Sequence, residues 1–280
     1  MQLGEALKNA ISRLEAASGG SPRMNAEVLL MFVLRCDRAY LYAHPEHELF
    51  PDESARYDDA LAERSRGVPS QYITGHQEFW GLDLIVSPAV LIPRPETEHL
   101  VEAVLDLARG MKSPRIVDIG TGSGCVALAL AHELPSAGIH ATDISPGALE
   151  IARANTARLQ LENRVTFHQA DVLSGVAVDG GFDFVVSNPP YVGESEADKV
   201  QREVRKFEPQ AAVFAGPEGL DVIRRIIPQA RAALKSGGWL ALEIGFSQEA
   251  KVRALLAHWS EVHSVADLQG IPRVVLGRKT

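Results

Sequence analysis

The chain has 280 residues, of which 46% are hydrophobic and 23% charged, and its formal net charge is −8 at pH 7. Such a length and composition are typical of a globular protein with one large domain or two ordinary ones. The acidic balance argues against an extended nucleic-acid surface, because binding many phosphates requires an excess of Lys and Arg.

The cysteines and the apolar runs indicate the compartment. Cys36 and Cys125 are far apart in sequence and fit neither a disulfide framework nor a metal motif, so we expect no metal site. No stretch approaches the ~18 apolar residues of a membrane span, and charges interrupt the first apolar positions. We therefore expect a cytoplasmic protein with free thiols and no membrane partner.

Residues 1–75 have the periodicity of helices. Apolar residues recur at three- and four-residue spacing over residues 3–14. Ser21 precedes a proline, which predicts the N-cap of a second helix. Asp52 is predicted to cap a further helix that runs to Arg66. This region is predicted to be a small all-α bundle.

Residues 76–93 predict a β-hairpin linker. The short apolar runs 79–82 and 84–86 suit its two strands. Prolines follow at positions 88, 93 and 95, so the connection should be stiff. A helix is expected next, over residues 96–109.

Strand-like and helix-like segments alternate from residue 115 onward. Strands are predicted at 115–119, 138–143, 164–168, 182–187, 238–244 and 272–278, and helices near 123–134, 146–160, 217–234 and 247–258. This alternation implies an α/β domain, over residues 94–280, in which helices cover both faces of a mostly parallel, twisted sheet.

A glycine-rich turn follows the first of these strands. It comprises Gly120, Thr121, Gly122, Ser123 and Gly124. Glycines let the backbone approach a ligand closely, and the N–H groups at the start of a helix favour a negative group. The turn also satisfies a dinucleotide-binding pattern, with an acidic residue about 20 positions later, so NAD and S-adenosylmethionine both stay open on this evidence.

The acidic residues after the next strands favour S-adenosylmethionine. Their order resembles that of class I methyltransferases, in which an acidic residue such as Asp118 supports the turn. In that resemblance Asp143 takes the ribose hydroxyls, while Asp171 and Val172 lie where the adenine is held. All these positions fall at the carboxyl ends of strands, the edge at which open α/β sheets bind ligands.

The segment Asn188, Pro189, Pro190 and Tyr191 directly follows the predicted strand 182–187. Asn188 Oδ1 and the Pro189 carbonyl could accept the two hydrogens of a planar NH2 group, since the prolines fix φ and supply no competing N–H. Tyr191 offers a flat face for stacking. A simple Pro-Pro turn would also explain the pattern, and an adenine amine would suit the same grip.

Over almost its whole length the chain resembles the PrmC/HemK family, methyltransferases that modify the glutamine of the Gly-Gly-Gln motif in class I peptide chain release factors. The segments that match are 69–75, 78–82, 91–98, the glycine turn, 188–191, 207–209, 219–221 and 243–245. One departure is Val172, where some members carry a bulky aromatic residue.

This resemblance implies three parts and their roles. Residues 1–75 would dock the release factor, residues 76–93 would form a hinge-like hairpin, and residues 94–280 would form the catalytic domain. S-adenosylmethionine would bind to the glycine turn, the acidic residues after it and Asn188. The 188–191 segment would hold the glutamine amide.

Three alternatives remain open. A sister group methylates a glutamine of a large-subunit ribosomal protein, and the segment 92–98 resembles the release-factor group more closely. A nucleic-acid adenine methyltransferase is disfavoured by the acidic balance. A catalytically silent binding module would not need the complete set of site residues. We expect a monomer without a direct nucleic-acid partner.

Overall fold

The computed structural model describes residues 1–17, 21–176 and 180–280. The chain forms two compact units. The first comprises Met1–His76 together with Gln201–Phe207, and the second comprises Gln77–Val200 together with Glu208–Thr280. Within the described ranges, no helix is long and apolar enough to cross a membrane.

The first unit is helical. Its first helices are α1 (Leu3–Ala17), α2 (Pro22–Leu34), α3 (Arg38–Ala43), α4 (Pro51–Ser65) and α5 (Ser70–Thr74). Their apolar faces meet in one core, in which Leu3, Leu29 and Leu30 are fully buried. The Tyr57 hydroxyl donates to the Ala26 carbonyl inside this core, at 3.0 Å.

The helix caps confirm one prediction and correct another. Ser21 caps α2, because its side chain accepts a hydrogen bond from the Met24 N–H. The predicted cap at Asp52 is wrong. Phe50 is the N-cap of α4, and Glu53 accepts from the Phe50 N–H at 2.9 Å. The fixed φ of Pro51 starts the helix two residues earlier than predicted.

The second unit begins with the predicted hairpin, formed by β1 (His76–Phe79) and β2 (Leu82–Ile85). A short 3₁₀ helix (Pro95–Thr97) then leads into α6 (Glu98–Ala108).

The remaining elements contain the predicted strands and helices, together with one strand and several short helices that were not predicted. They are β3 (Arg115–Ile119), α7 (Cys125–Glu133), β4 (Gly138–Asp143), α8 (Pro146–Arg158), β5 (Val165–Gln169), β6 (Phe182–Ser187), a 3₁₀ helix (Glu194–Lys199), α9 (Arg202–Phe207), α10 (Gln210–Val213), α11 (Asp221–Ala233), β7 (Leu234–Glu243), α12 (Glu249–Leu255), β8 (Ser260–Ala266) and β9 (Pro272–Arg278). The segment of α9 belongs to the first unit.

Seven strands form the main sheet, in the order β5-β4-β3-β6-β7-β9-β8. The strands from β5 to β7 are parallel, and β9 runs antiparallel to β7 and β8. This arrangement confirms the predicted class I methyltransferase fold. The strand order reverses between β3 and β6, and such a switch point opens a crevice at the carboxyl ends of the strands.

The central strands are buried on both faces, as expected for parallel strands between helices. Val186 of β6 packs on one face with Leu100 of α6 and Leu128 of α7. Val185 packs on the other face with Ile223 of α11. This double burial fixes the strand ends rigidly, so residues that follow the strands are held in defined positions.

Candidate active site

A cavity of about 390 Å³ lies at the carboxyl ends of β3, β4, β5 and β6. Its lining includes Asp118 to Ser123, Asp143 to Ser145, Ala170 to Val172, and Asn188. These groups come from four successive parallel strands that meet at one edge of the sheet. The volume is in the range of sites for small organic ligands.

The glycine turn leaves its backbone open to this cavity. Gly120 has φ +70° and Gly122 has φ +56°, and a Cβ built on either would meet no atom within 4 Å. Gly124 serves a different purpose. A Cβ there would lie 3.1 Å from Leu128 Cδ1, so its small size allows α7 to start close to its own next turn.

Asp118 supports the glycine turn through a buried hydrogen bond. Its carboxyl is buried and its Oδ2 accepts a hydrogen bond from Thr121 Oγ1 at 2.6 Å. Burial raises the pKa of Asp118 to about 7, and the bond from Thr121 opposes that rise. The predicted support of the turn by this residue is therefore a direct contact.

Asp143 is fixed at the cavity by two backbone donors. Its Oδ2 accepts from the Gly122 N–H and its Oδ1 from the Ser145 N–H, each at 2.9 Å. Each carboxylate oxygen keeps a further lone pair for a ligand. The side chain thus ties the glycine turn to the start of α8 and still has acceptor capacity.

Asp171 and Val172 also line the cavity. The Asp171 carboxylate is paired with the Arg225 guanidinium, and both residues line the cavity. Val172 has φ +58°, in the left-handed region that β-branched residues rarely adopt. Its carbonyl accepts from Thr142 Oγ1 at 2.9 Å, which helps to hold this strained backbone at the site.

Asn188 lies at the end of β6 with its carboxamide oriented by a neighbour. Its Nδ2 donates to Thr97 Oγ1 at 2.9 Å. Because the nitrogen is used in this way, Oδ1 is the part of the carboxamide that can accept from a ligand.

The backbone after Asn188 is clamped. Gln248 Nε2 donates to the Tyr191 carbonyl at 2.8 Å. A Cβ at Gly219 would lie 2.1 Å from the same carbonyl oxygen, so only glycine allows this contact. Burial raises the pKa of the Tyr191 hydroxyl well above its ordinary value.

Most of the residues predicted from sequence come together here. Those that line the cavity are Gly120, Thr121, Gly122, Ser123, Asp143, Asp171, Val172, Asn188 and Pro190. Gly124, Pro189 and Tyr191 are not among the lining residues. Pro189 is buried. Gly124 ends the glycine turn, and the Tyr191 carbonyl accepts from Gln248 in the segment after β6.

The sequence did not identify the hydrogen-bond and ion-pair partners of several site residues. Arg94 lines the cavity and donates to Glu208 Oε1, and the Ile92 N–H donates to Glu208 Oε2 at 3.2 Å. Thr97 and Arg225 were missed as well. Arg94 and Glu208 both lie in segments singled out above, but no local pattern indicates that positions so far apart will pair.

No metal centre is present in the described part of the chain, in the sense that no group of three or more His, Cys, Asp or Glu side chains could hold an ion there.

Comparison with known proteins gives matches along the whole chain. The family model of the PrmC N-terminal domain matches residues 5–75, and that of the methyltransferase small domain matches residues 96–212. The release factor glutamine methyltransferase of Koribacter versatilis is 57% identical over 279 residues, covering 100% of this chain and 99% of its own. The enzyme of the same name from Moorella thermoacetica is 46% identical, covering 91% and 89%.

Solved structures with low identity share the fold. The hMettl16 catalytic domain in complex with an RNA hairpin has a TM-score of 0.58 at 18% identity, covering 85% of this chain and 84% of that one. The 16S rRNA N2 methyltransferase RsmC of T. thermophilus, in complex with AdoMet and guanosine, has a TM-score of 0.52 at 19% identity, covering 73% and 50%.

Proposed function

Because the chain belongs to the family of release factor glutamine methyltransferases, we propose that it methylates the glutamine side-chain amide in the Gly-Gly-Gln motif of class I peptide chain release factors. It is an S-adenosylmethionine-dependent protein-glutamine N-methyltransferase. The choice of class I factors and of that glutamine is the proposal.

The orientation of Asn188 carries this proposal. Its carboxamide nitrogen donates to Thr97 and the residue lines the cavity, so we place its oxygen toward the cavity as an acceptor. A primary amide presents an NH2 group that such an acceptor can hold. A turn residue without a role at the site would need no fixed direction toward a cavity.

The residues around the cavity fit S-adenosylmethionine. The open backbone at Gly120 and Gly122 gives room for the carboxylate end of the ligand, beside the start of α7. The Asp143 carboxylate has acceptor capacity for the ribose hydroxyls. Asp171 and Val172 would lie against the adenine, and the smaller side chain of Val172 would leave looser packing there than an aromatic residue.

When bound, S-adenosylmethionine supplies an electrophilic methyl group on a positively charged sulfur. The chain's own task is to present the amide nitrogen, a poor nucleophile because its lone pair is delocalised into the carbonyl. Asn188 Oδ1 would accept one amide hydrogen and thereby orient the nitrogen. Pro189 was predicted to accept the other through its carbonyl. We keep the Pro189 carbonyl as the proposed second acceptor, and Asn188 is the acceptor whose side chain has a fixed hydrogen-bond partner in the structure. Catalysis would then rest on positioning and electrostatics.

We assign docking of the release factor to residues 1–75, as the sequence predicts, with residues 76–93 as the hairpin linker and 94–280 as the catalytic part. The first unit carries several large apolar side chains with high exposure, namely Met24, Phe32, Tyr42 and Phe50. We propose that these side chains contribute to the surface that docks the release factor. The free thiols of Cys36 and Cys125 agree with the predicted cytoplasmic location, and we propose that the protein acts as a monomer.

A direct assay tests the function. The purified protein is incubated with labelled S-adenosylmethionine and a class I release factor that carries either its native glutamine or alanine at that position. Label should enter the native factor alone. Matched reactions with large-subunit ribosomal proteins and with an adenine-containing oligonucleotide should stay unlabelled, and label in either of them would replace the proposed substrate.

A further inference from the structure

A buried polar chain lies behind the Asn188 carboxamide. Thr97, which accepts from Asn188 Nδ2 at 2.9 Å, is 1% exposed and ends the 3₁₀ helix Pro95–Thr97. Glu243, also 1% exposed, ends β7. Because Ser187 pairs with Leu242 in the parallel ladder of β6 and β7, Asn188 and Glu243 occupy the next position along these two neighbouring strands.

The carboxyl group of Glu243 interacts with two residues near Asn188, namely Thr97 and Tyr191. The hydroxyls of Thr97 and Tyr191 are close enough to its carboxyl group to lower its pKa as hydrogen-bond donors, while its Oε2 has no hydrogen-bond partner among the described residues. Burial raises the pKa of Glu243 to about 7, and the bonds from Thr97 and Tyr191 oppose this rise. A buried carboxyl with an unsatisfied oxygen is costly, and buried polar groups of this kind call for an explanation.

The direction of the hydrogen bonds explains why a carboxyl group is buried at this position. Above about pH 7 the carboxyl group of Glu243 is ionised and can only accept, so the Thr97 hydroxyl must give its hydrogen to it. The lone pairs of Thr97 Oγ1 are then left for a donor, and Asn188 Nδ2 is that donor. A carboxamide has nearly equal shape in its two flipped orientations, but only one of them turns Oδ1 toward the cavity.

We propose that Thr97 and Glu243 are positioning residues for methyl transfer: through one chain of hydrogen bonds, they hold the Asn188 carboxamide with its oxygen toward the substrate amide. A flipped Asn188 would present an NH2 group to the NH2 group of the substrate and could not hold it. This inference rests on the proposed function of Asn188 as the amide acceptor.

The segment that carries Thr97 is itself anchored. Glu208, which is 4% exposed, accepts from the Ile92 N–H at 3.2 Å and from the Arg94 guanidinium. Both contacts lie just before the 3₁₀ helix. Thr97 is therefore held from two sides, by the Glu208 clamp before it and by α6 after it, which suits a residue that must keep another in one orientation.

The test compares Thr97→Val, which keeps the shape and removes the hydroxyl, with Thr97→Ser, which keeps the hydroxyl. The full chain is assayed in single turnovers with saturating release factor and S-adenosylmethionine. Thr97→Val should lower the rate constant about 10-fold or more, since the Asn188 nitrogen loses its acceptor. Thr97→Ser should restore the rate to within about 3-fold of the native value.

Binding measurements separate positioning from packing. The KM for release factor and the Kd for S-adenosylmethionine should change by less than about 3-fold in both variants. Glu243→Gln should also slow the transfer step, because its NH2 group can donate to Thr97 and so removes the fixed direction. Thermal unfolding of every variant checks that the fold is kept.

A double-mutant cycle with Asn188→Ala distinguishes this inference from the proposed function. If Thr97 acts only through Asn188, adding Thr97→Val to Asn188→Ala should cause no further loss. Fully additive losses, equal losses in Thr97→Val and Thr97→Ser, or an unchanged rate in Thr97→Val would each overturn the positioning role. Native turnover in Asn188→Ala alone would instead remove the proposed grip.

Discussion

Replacement of Asp143 by alanine should weaken S-adenosylmethionine binding strongly. The carboxylate accepts from the Gly122 and Ser145 N–H groups at 2.9 Å, so the substitution removes two hydrogen bonds that order the turn as well as the predicted contacts to the ribose. Asp143 is partly exposed and solvent screens its bonds, so the total loss should stay within the range for a single bond to a charged group. We expect about 2–3 kcal/mol, or roughly 30–150-fold in Kd.

Two further variants make the measurement specific. Asp143→Asn keeps one acceptor oxygen, so its loss should fall between the native protein and the alanine variant. Asp106→Ala removes an exposed carboxylate that pairs with Arg109 on α6, away from the cavity, and should leave the Kd unchanged. Isothermal titration calorimetry with S-adenosylmethionine gives all three values. An unchanged Kd in Asp143→Ala, or tighter binding of NAD than of S-adenosylmethionine, would refute the reasoning.

Three further predictions concern transfer, docking and pH. Asn188→Ala should lower kcat by ~10²-fold or more. Asn188→Asp should bind the cofactor well but react slowly, because its negative charge stabilises the sulfonium of the ground state more than the transition state. Single-turnover rates check both variants. Phe32→Ala and Phe50→Ala should raise the KM for release factor by about 3–10-fold without changing cofactor affinity in calorimetry. The free energy of unfolding should fall as pH rises from about 4.5 to about 7, because folded Glu243 keeps its proton up to about 7 and the unfolded chain loses it near 4.5. In urea titrations over this pH range, the free energy of unfolding of Glu243→Gln should fall by up to about 3 kcal/mol less than that of the native protein. An equal dependence on pH in both proteins would contradict this prediction.

Local patterns predicted the elements that build the site. The bounds of β3, β4, β6 and β9 agree with the predicted strands. For β3 and β6 the signal is a nearly continuous apolar run, because these parallel strands are buried on both faces. β8 (Ser260–Ala266) was missed because its side chains are only half-buried or exposed, which leaves no such run. α9 was missed as well, and none of its residues is buried.

The positions of site residues followed from the strand ends, whereas their partners did not. Asn188, Asp143 and the glycine turn each come directly after a recognisable strand, so the sheet edge brings them together. The bonds from Asn188 to Thr97 and from Asp171 to Arg225 join residues that are distant in sequence. Periodicity and spacing describe one element at a time, and they contain no signal for a side-chain pair across the fold.

The two buried carboxyl groups at the sheet edge show how this fold combines stability with activity. Asp118 lies near the end of β3 and Glu243 at the end of β7, with β6 between the two strands, and burial raises the pKa of each to about 7. An apolar residue at either position would avoid the desolvation cost. Asp118 instead fixes the turn through Thr121, and Glu243 instead fixes the direction of Asn188 through Thr97. A substitution that removes the charge of Glu243 should therefore make the protein more stable at pH 8 and slower in methyl transfer. Such opposite changes are expected when a residue is kept for activity although it lowers stability.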